Sequence, residues 1–210
     1  MRVDSDGLID YVLEPKTGKS SVVPGTETTD GNDRIIADLL PIYDLETGAL
    51  LNDDDKVLDV KRLGAMKKTV GVTYDQETGI KTLKGQISKM DTYSFGNDDS
   101  KAQEFYEFMA NNSEVEFDYT LWKASFGTNS YVTTLFSDLI SGGASYYDNT
   151  LDSDVTLQFG SFSHPLGGAP GSIDVESLKR MSPRSRGADF KIYFPRTQSY
   201  SRAFNSYSRF

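Results

Sequence analysis

The sequence predicts an α+β fold in which a mixed β-sheet packs beside helices, and three observations support this prediction. From residue 100 onward, helix and strand patterns follow the order helix, strand, strand, loop, strand, turn, helix, strand. The first third instead contains short β-prone stretches separated by glycine-containing turns. The composition, 37% hydrophobic with twelve Phe, twelve Tyr and one Trp, is sufficient for a folded core.

The charge and composition exclude several functions. The chain has 22 basic and 31 acidic residues, and its net charge of −9 repels phosphate backbones, so we expect no nucleic-acid partner. It contains no cysteine, which excludes disulfides, thiolate metal sites and a cysteine nucleophile. The acidic N-terminus lacks the apolar stretch of a signal peptide, and no window has the length of a membrane span, so we expect no transmembrane segment.

Residues 1–95 are predicted to form a β-hairpin-rich N-terminal segment that joins the domain to a carrier. The turn sequences EPKTG, DLETG and DQETG place glycines at Gly18, Gly48 and Gly79, where a hairpin needs positive φ. YDLETG and YDQETG nearly repeat each other about 30 residues apart, which fits either common hairpin chemistry or a repetitive β segment inherited from a larger parent. Residues 37–45 and 55–70 fit strands or one short helix.

A helix is predicted at residues 100–110, SKAQEFYEFMA. Ser100 is a suitable N-cap, and Gln103 completes a capping box. Asn111 and Asn112 end the helix. Its buried face is predicted to carry Ala102, Phe105, Phe108 and Met109.

Alternation of apolar and polar residues predicts the strands that follow. In 114–122, Val115, Phe117, Tyr119 and Leu121 share one side, whereas Glu116, Asp118 and Thr120 share the other. Residues 129–136 are a plausible antiparallel neighbour. The Gly/Ser/Asp-rich stretch 141–154 is predicted to be a flexible flap. The remaining elements are predicted as strand 155–162, helix 174–181 and strand 188–194.

The only histidine of the chain, His164, lies at the end of the predicted strand 155–162. Residues i and i+2 of a strand point the same way, so two imidazoles in an H-x-H pattern converge on one metal ion. Here the pair is Phe162 and His164. Asp174, at the start of the next predicted helix, is a possible further ligand, and Glu116 is a possible general base for a metal-bound water.

This pattern resembles the JAB/JAMM family of zinc metallopeptidases. Their motif is an upstream Glu, then H-[ST]-H-P, then a Ser and an Asp about ten residues later. Glu116 is the candidate for the upstream residue. The other residues that match the motif are Ser163, His164, Pro165, Ser172 and Asp174. The spacing between Ser172 and Asp174 is one residue shorter than is usual in the family.

Over roughly residues 95–195 the chain is similar to the JAB-like toxin domains at the C-termini of Rhs-type polymorphic toxins. NSEVEF, the strand into SHP, the loop to SID, and DFKIYFP carry this resemblance in the right order. It implies a JAB/JAMM-like toxin domain at residues 96–196 on a JAMM/deaminase-like scaffold.

The resemblance implies a zinc site with metal ligands His164 and Asp174 and, in an active enzyme, catalytic roles for Glu116 and Ser172. Phe162 stands where the family has its first histidine, and a phenyl ring does not ligate zinc. Glu116 in the role of third ligand would no longer be available as base. The other possible substitutes are Asp152, Asp154 and Glu176. We expect a degenerate site without a cofactor, with a zinc-loaded site as the alternative.

Residues 197–210 form a predicted tail rich in aromatic residues and arginine. Such residues are favoured at interface hot spots, which makes this tail a candidate binding surface. The alternatives are one more strand or a disordered end. The terminal aromatic after a β-prone run also permits an envelope or outer-membrane target bound by strand addition. The candidate binding residues are Tyr200, Phe204, Tyr207, Arg209 and Phe210.

From these observations we predict a non-catalytic antibacterial toxin domain that binds a target-cell protein. The resemblance implies delivery by a contact-dependent or type VI/Rhs-type system as part of a larger injected effector, action in or on the target bacterial cell, and a cognate immunity protein as partner. One alternative is an active zinc-dependent peptidase toxin. Another is an immunity or adaptor protein with a borrowed fold, whose acidic charge would suit binding to a basic toxin.

Overall fold

Two β-sheets and two α-helices make up the described part of the protein. The computed structural model describes residues 9–27, 34–37, 56–59, 66–75, 87–137, 142–167, 181–185 and 187–202. The helices are α1 (Asp99–Asn111) and α2 (Gly143–Thr150), and a short 3-10 helix spans Pro195–Thr197. The strands are β1 (Ile9–Leu13), β2 (Ser20–Glu27), β3 (Arg34–Ile36), β4 (Val57–Asp59), β5 (Lys67–Asp75), β6 (Ile87–Gly96), β7 (Asp118–Ala124), β8 (Gly127–Thr134), β9 (Thr156–Ser163), β10 (Asp189–Phe194) and β11 (Ser199–Arg202).

The larger sheet has seven strands in the order β11-β10-β9-β7-β8-β6-β5. Its neighbours are antiparallel except for β9 and β10, which run parallel. This mixed sheet with helices confirms the predicted α+β class. The predicted strands 155–162 and 188–194 correspond to β9 and β10, and the predicted neighbour 129–136 corresponds to β8. The helix predicted at 174–181 lies outside the described residues, apart from Met181.

The smaller sheet, in the order β2-β1-β3-β4, comes from the N-terminal third. The predicted EPKTG turn connects β1 to β2, and Gly18 adopts a φ of 64° while its N–H donates to the Glu14 carbonyl at 2.8 Å. A Cβ on Gly18 would lie 2.4 Å from Cγ2 of Val115, so this turn packs tightly against the segment before β7. Gly48 and Gly79 lie outside the described residues.

Helix α1 begins one residue earlier than predicted, and its N-cap is Asp98 rather than Ser100. The Asp98 carboxylate accepts the Lys101 N–H at 3.4 Å, and the Ser100 hydroxyl donates to the same carboxylate at 3.1 Å. A carboxylate complements the positive end of the helix better than a hydroxyl, which explains the difference. Gln103 does not close a capping box, because its amide donates to Glu107.

The buried face of α1 is close to the prediction. Ala102, Phe105 and Met109 are fully buried, whereas Phe108 is partly buried. Tyr106, which was not predicted, is also fully buried and shares a hydrogen bond of 3.1 Å with the Ser161 hydroxyl of β9. This contact ties α1 to the centre of the seven-stranded sheet.

Core side chains cover both faces of the seven-stranded sheet. Adjacent residues of a strand point to opposite faces, and on β10 Tyr193 belongs to the cluster around α1 whereas Ile192 belongs to a second cluster with Tyr147 of α2. Helices α1 and α2 therefore pack on opposite faces. None of the helices in the described ranges has the length and apolar character needed to span a membrane.

The two sheets share one core cluster. Tyr11 and Leu13 of β1 lie in the same cluster as Tyr93 of β6 and Phe105 of α1. The seven-stranded sheet also takes strands from each of the three predicted segments, 1–95, 96–196 and 197–210. The boundaries between those segments stay predictions.

We expect Gly160→Ala to lower the free energy of unfolding by about 1–3 kcal/mol, because overpacking a filled core forces side chains from their preferred positions. A Cβ on Gly160 would lie 2.5 Å from Cε1 of the buried Phe190 ring. Urea denaturation measures the effect. Gly167→Ala is not a suitable control because φ is 76° there, whereas Gly187→Ala meets open space without positive φ and should be nearly neutral. Equal stability of the Gly160→Ala variant and the wild type would contradict the packing described.

Candidate functional site

The candidate site lies where β9 ends beside the start of β7. The Ser163 N–H donates to the Phe117 carbonyl at 2.9 Å, and the Phe117 N–H donates to the Ser163 hydroxyl at 2.9 Å. These bonds extend the β7–β9 ladder beyond the strand, which begins at Asp118 rather than at the predicted residue 114. The extension brings Glu116 to the same end of the sheet as His164.

Glu116 and His164 form a close and nearly buried pair. The Glu116 Oε1 to His164 Nε2 distance is 3.8 Å, and the two side chains are 7% and 12% exposed, respectively. The His164 N–H donates to the Tyr193 carbonyl of β10 at 2.9 Å, which fixes the backbone at this position. The structure thus brings together the upstream glutamate and the single histidine that the sequence singled out.

Phe162 is buried beside this pair. The residue is 7% exposed, and its ring centroid lies 5.3 Å from that of His164. It belongs to the core cluster that also contains Trp122 and Ile192. The position from which a second imidazole would reach a metal is therefore filled by an apolar ring held in the core.

The described residues do not fit a catalytic zinc set, which needs three protein ligands and a water. They provide one imidazole with one carboxylate nearby, and no group of three His, Cys, Asp or Glu side chains in the described ranges is arranged to hold a metal ion. Ser172, Asp174 and Glu176 lie outside those ranges. Asp152 and Asp154 precede β9, so the whole strand, with about 3.3 Å of rise per residue, separates them from His164.

The polar side of the β7 strand is buried rather than facing solvent. Asp118 is 5% exposed and Thr120 is 1% exposed. The Gly143 N–H, at the first residue of α2, donates to Asp118 Oδ2 at 2.5 Å. The start of α2 therefore lies directly on this strip of polar residues.

The loop conformation predicted for the flap at 141–154 is wrong over residues 143–150, which form α2. The Gly-, Ser- and Asp-rich composition favours a loop, but Ala144, Tyr147 and Leu151 pack into the core cluster of Phe162. Their spacing of three and four residues is a helical signal that was present in the sequence. Packing of this stripe outweighs the weak intrinsic helix propensity of the segment.

Asp148 and Arg184 anchor the C-terminal end of α2, and sequence reasoning missed both. The Asp148 carboxylate accepts bonds from the Ser182 N–H and hydroxyl, each at 2.7 Å, and from the Ser185 hydroxyl at 2.5 Å. The Arg184 guanidinium lies 3.6 Å from Asp148 Oδ1 and donates to the carbonyls of Asp148, Leu151 and Asp152. A cation bonded to the last carbonyls of a helix satisfies its free acceptors and complements its dipole.

The predicted tail begins with an ordered strand. Tyr200 of β11 donates a hydrogen bond of 2.7 Å to Glu107 of α1, and its ring lies 4.8 Å from that of Tyr193. Burial, with the Glu107 carboxylate as a second cause, raises the pKa of Tyr200. Tyr200 therefore packs β11 against α1. The other four candidate binding residues, at positions 204, 207, 209 and 210, lie outside the described residues.

Comparison with protein families gives the class of the domain. Residues 94–189 match the model of the family JAB-like toxin 1. The matched range includes Glu116, Phe162 and His164 and the α1–β9 part of the fold. Comparison with the curated proteins and with the solved structures gave no match.

The chain therefore carries a JAB-like toxin domain at residues 94–189. This match supports a toxin function for the domain.

Proposed function

We propose that this toxin domain acts by binding a protein of the target bacterium and that its JAB-like site is not a zinc peptidase centre. The observation that carries the proposal is the buried Phe162 ring beside His164. Removing one imidazole from a site that needs three protein ligands leaves too few donors for a catalytic zinc. A retained scaffold with a lost ligand supports a role in binding.

The C-terminal end of the chain supports a target-binding surface in this proposal. The exposed Arg202 ends β11, and the sequence beyond it, AFNSYSRF, contains the aromatic and arginine residues that dominate interface hot spots. We place target contact on Phe204, Tyr207, Arg209 and Phe210, whereas Tyr200 keeps β11 attached to α1. A target protein in the cell envelope is one partner compatible with this surface.

In the same proposal, the domain belongs to a larger effector of the Rhs or type VI kind that injects it into a competing bacterium. A cognate immunity protein protects the producing cell. The basis is the likeness to toxin domains of polymorphic toxins together with the toxin family of residues 94–189.

A zinc peptidase toxin is the second candidate, and the Glu116–His164 pair is the observation that favours it. In that function His164 would hold the metal, and the metal would activate a water for peptide hydrolysis. Glu116 would hold the proton taken from that water.

Expression of the chain inside bacteria separates the candidates. We expect the wild type to arrest growth, Glu116→Gln and His164→Ala to stay toxic, and a truncation after Arg202 to lose most of its toxicity with β11 intact. Thermal unfolding of each purified variant checks that it folds.

Two outcomes would contradict the proposal. Loss of toxicity in both Glu116→Gln and His164→Ala, together with about one zinc per wild-type chain in elemental analysis, would establish the peptidase instead. A harmless chain that protects cells from another toxin would indicate an immunity protein.

A further inference from the structure

Three buried polar atoms beneath α2 have no hydrogen-bond partner among the residues that the structure describes. They are Thr120 Oγ1, Thr133 Oγ1 and Trp122 Nε1. Each of these residues is at most 1% exposed. Burying a hydroxyl or an indole N–H without a partner forfeits its bonds to water, so the closed arrangement of α2 carries a desolvation cost.

One of these atoms, Thr133 Oγ1, lies at the N-terminal end of α2. A Cβ on Gly143 would lie 2.0 Å from Thr133 Oγ1, so only a residue without a side chain fits this close to that unpartnered hydroxyl. The preceding Gly142 occupies the N-cap position at a φ of 74° and provides no capping side chain. Two consecutive glycines are also the residues that change backbone conformation most readily.

The opposite end of α2 is firmly held. Asp148 and Arg184 connect the last turn to residues 182–185 through the hydrogen bonds described above. Arg184 also lies 5.9 Å from the Trp122 ring, which joins this end to the sheet. One end of the helix is thus anchored, and the other rests on the Thr133 hydroxyl, which lacks a hydrogen-bond partner among the described residues.

We propose that α2 is a hinged cover, whose N-terminal end lifts from the sheet at Gly142–Gly143 while its C-terminal end stays anchored at Asp148 and Arg184. Lifting lets water reach Thr133 and frees the Asp118 carboxylate from the Gly143 N–H. Asp118 lies two residues from Glu116 and is paired in register with Phe162. The cover therefore controls access to the sheet face that carries the Glu116–His164 pair.

Amide hydrogen exchange of the wild-type chain tests the hinge directly and does not depend on what the toxin binds. The Gly143 N–H donates to Asp118, whereas the Leu151 N–H donates to the Tyr147 carbonyl at the anchored end. After correction for intrinsic rates, we expect Gly143 to exchange at least about tenfold faster than Leu151, since local opening exposes only part of the helix. Equal rates, or slower exchange at Gly143, would overturn the proposal.

The variant Thr133→Val tests the cause of the opening. Valine keeps the shape of threonine and removes the unpartnered hydroxyl, so the closed state loses its desolvation cost. We expect amide exchange at Gly143 to slow by roughly tenfold, because one unsatisfied buried group destabilises the closed state by about that factor. The exchange rate of Leu151 should not change. Unchanged or faster exchange at Gly143 would show that the hydroxyl does not drive opening.

A reversible crosslink tests whether opening exposes Asp118. A Cβ on Gly143 would lie 3.1 Å from Thr133 Cβ, somewhat less than the separation of about 3.5–4.5 Å in disulfides. With a backbone shift of a few tenths of an ångström, Gly143→Cys with Thr133→Cys is expected to form a disulfide that locks the cover. The chain has no native cysteine to compete. The probe is a water-soluble carbodiimide with glycine ethyl ester, read by peptide mass spectrometry, with the exposed Glu114 as reference.

We expect Asp118 to be modified in the wild type and in the reduced double variant, and at least about tenfold more slowly in the oxidised one, because the lock removes the open state. Glu114 should react equally in all three. The same Asp118 rate with and without the disulfide would overturn the proposal.

Discussion

Replacing Phe162 with histidine is expected to give the domain a zinc site, with about one zinc bound per chain. The side chain at this position lies 5.3 Å, between ring centroids, from His164, and Glu116 approaches His164 to 3.8 Å. The variant would therefore offer two imidazoles and a carboxylate at one strand end, a ligand set found in catalytic zinc sites. Elemental analysis after dialysis against zinc measures the stoichiometry.

Stability gives a second measure of the same variant. Removing a buried phenyl ring from the core should lower the free energy of unfolding by about 1–3 kcal/mol without metal, and zinc should restore part of this loss because it binds only the folded state. The matched control is Phe162→His combined with His164→Ala, which removes one imidazole again and should bind no zinc. A folded Phe162→His variant that takes up no more zinc than the wild type would show that these positions do not converge on a metal.

Asp148→Ala is expected to lower the free energy of unfolding by about 3–5 kcal/mol, as is typical when one partner of a buried charged pair is removed. Asp148 is 8% exposed and accepts three hydrogen bonds from Ser182 and Ser185, next to the Arg184 guanidinium. Its loss leaves the serine donors without their acceptor and removes the carboxylate that neutralises the Arg184 cation. Urea denaturation followed by tryptophan fluorescence measures the effect, since Trp122 lies beside Arg184.

Asp152→Ala is the matched control for Asp148→Ala. Asp152 follows α2, is exposed, and contributes its carbonyl rather than its carboxylate to Arg184. Its removal should change the free energy of unfolding by less than about 0.5 kcal/mol. If Asp148→Ala also changed the free energy of unfolding by less than about 0.5 kcal/mol, the Asp148 carboxylate would not hold residues 182–185 to the helix.

Strands β7 to β10 of the seven-stranded sheet could be predicted from the sequence because alternation leaves a direct signal, whereas β5 and β6 come from a stretch that was predicted only as rich in hairpins. Val115, Phe117 and Tyr119 alternate with polar residues, and they are buried as expected. The alternation does not show what covers the opposite face. Asp118 and Thr120 are polar, so solvent was the natural expectation, but α2 buries them through contacts between residues 25 positions apart.

The candidate site was predictable in part. The motif around His164 indicated Glu116 as its partner, and the β7–β9 pairing brings the two side chains together. The pair Asp148–Arg184 had no local signal, since an aspartate in a polar stretch and an arginine near a proline have many possible roles. Asp148 and Arg184 are 36 residues apart in the sequence, and only the folded structure shows that they belong to one hydrogen-bonded group.

The position of β6 has a practical consequence for producing the domain. The family match begins at residue 94, inside β6 (Ile87–Gly96), and ends at residue 189, the first residue of β10. A recombinant fragment with those limits would lose most of β6, which pairs with β8, and nearly all of β10, which pairs with β9. Strands β8 and β9 would then each carry unpaired N–H and C=O groups along one edge. Exposed strand edges of this kind pair with strands of other molecules and so promote aggregation. A fragment for biochemistry should therefore extend from β1 through β11, which also retains Tyr11 and Leu13 in the shared core.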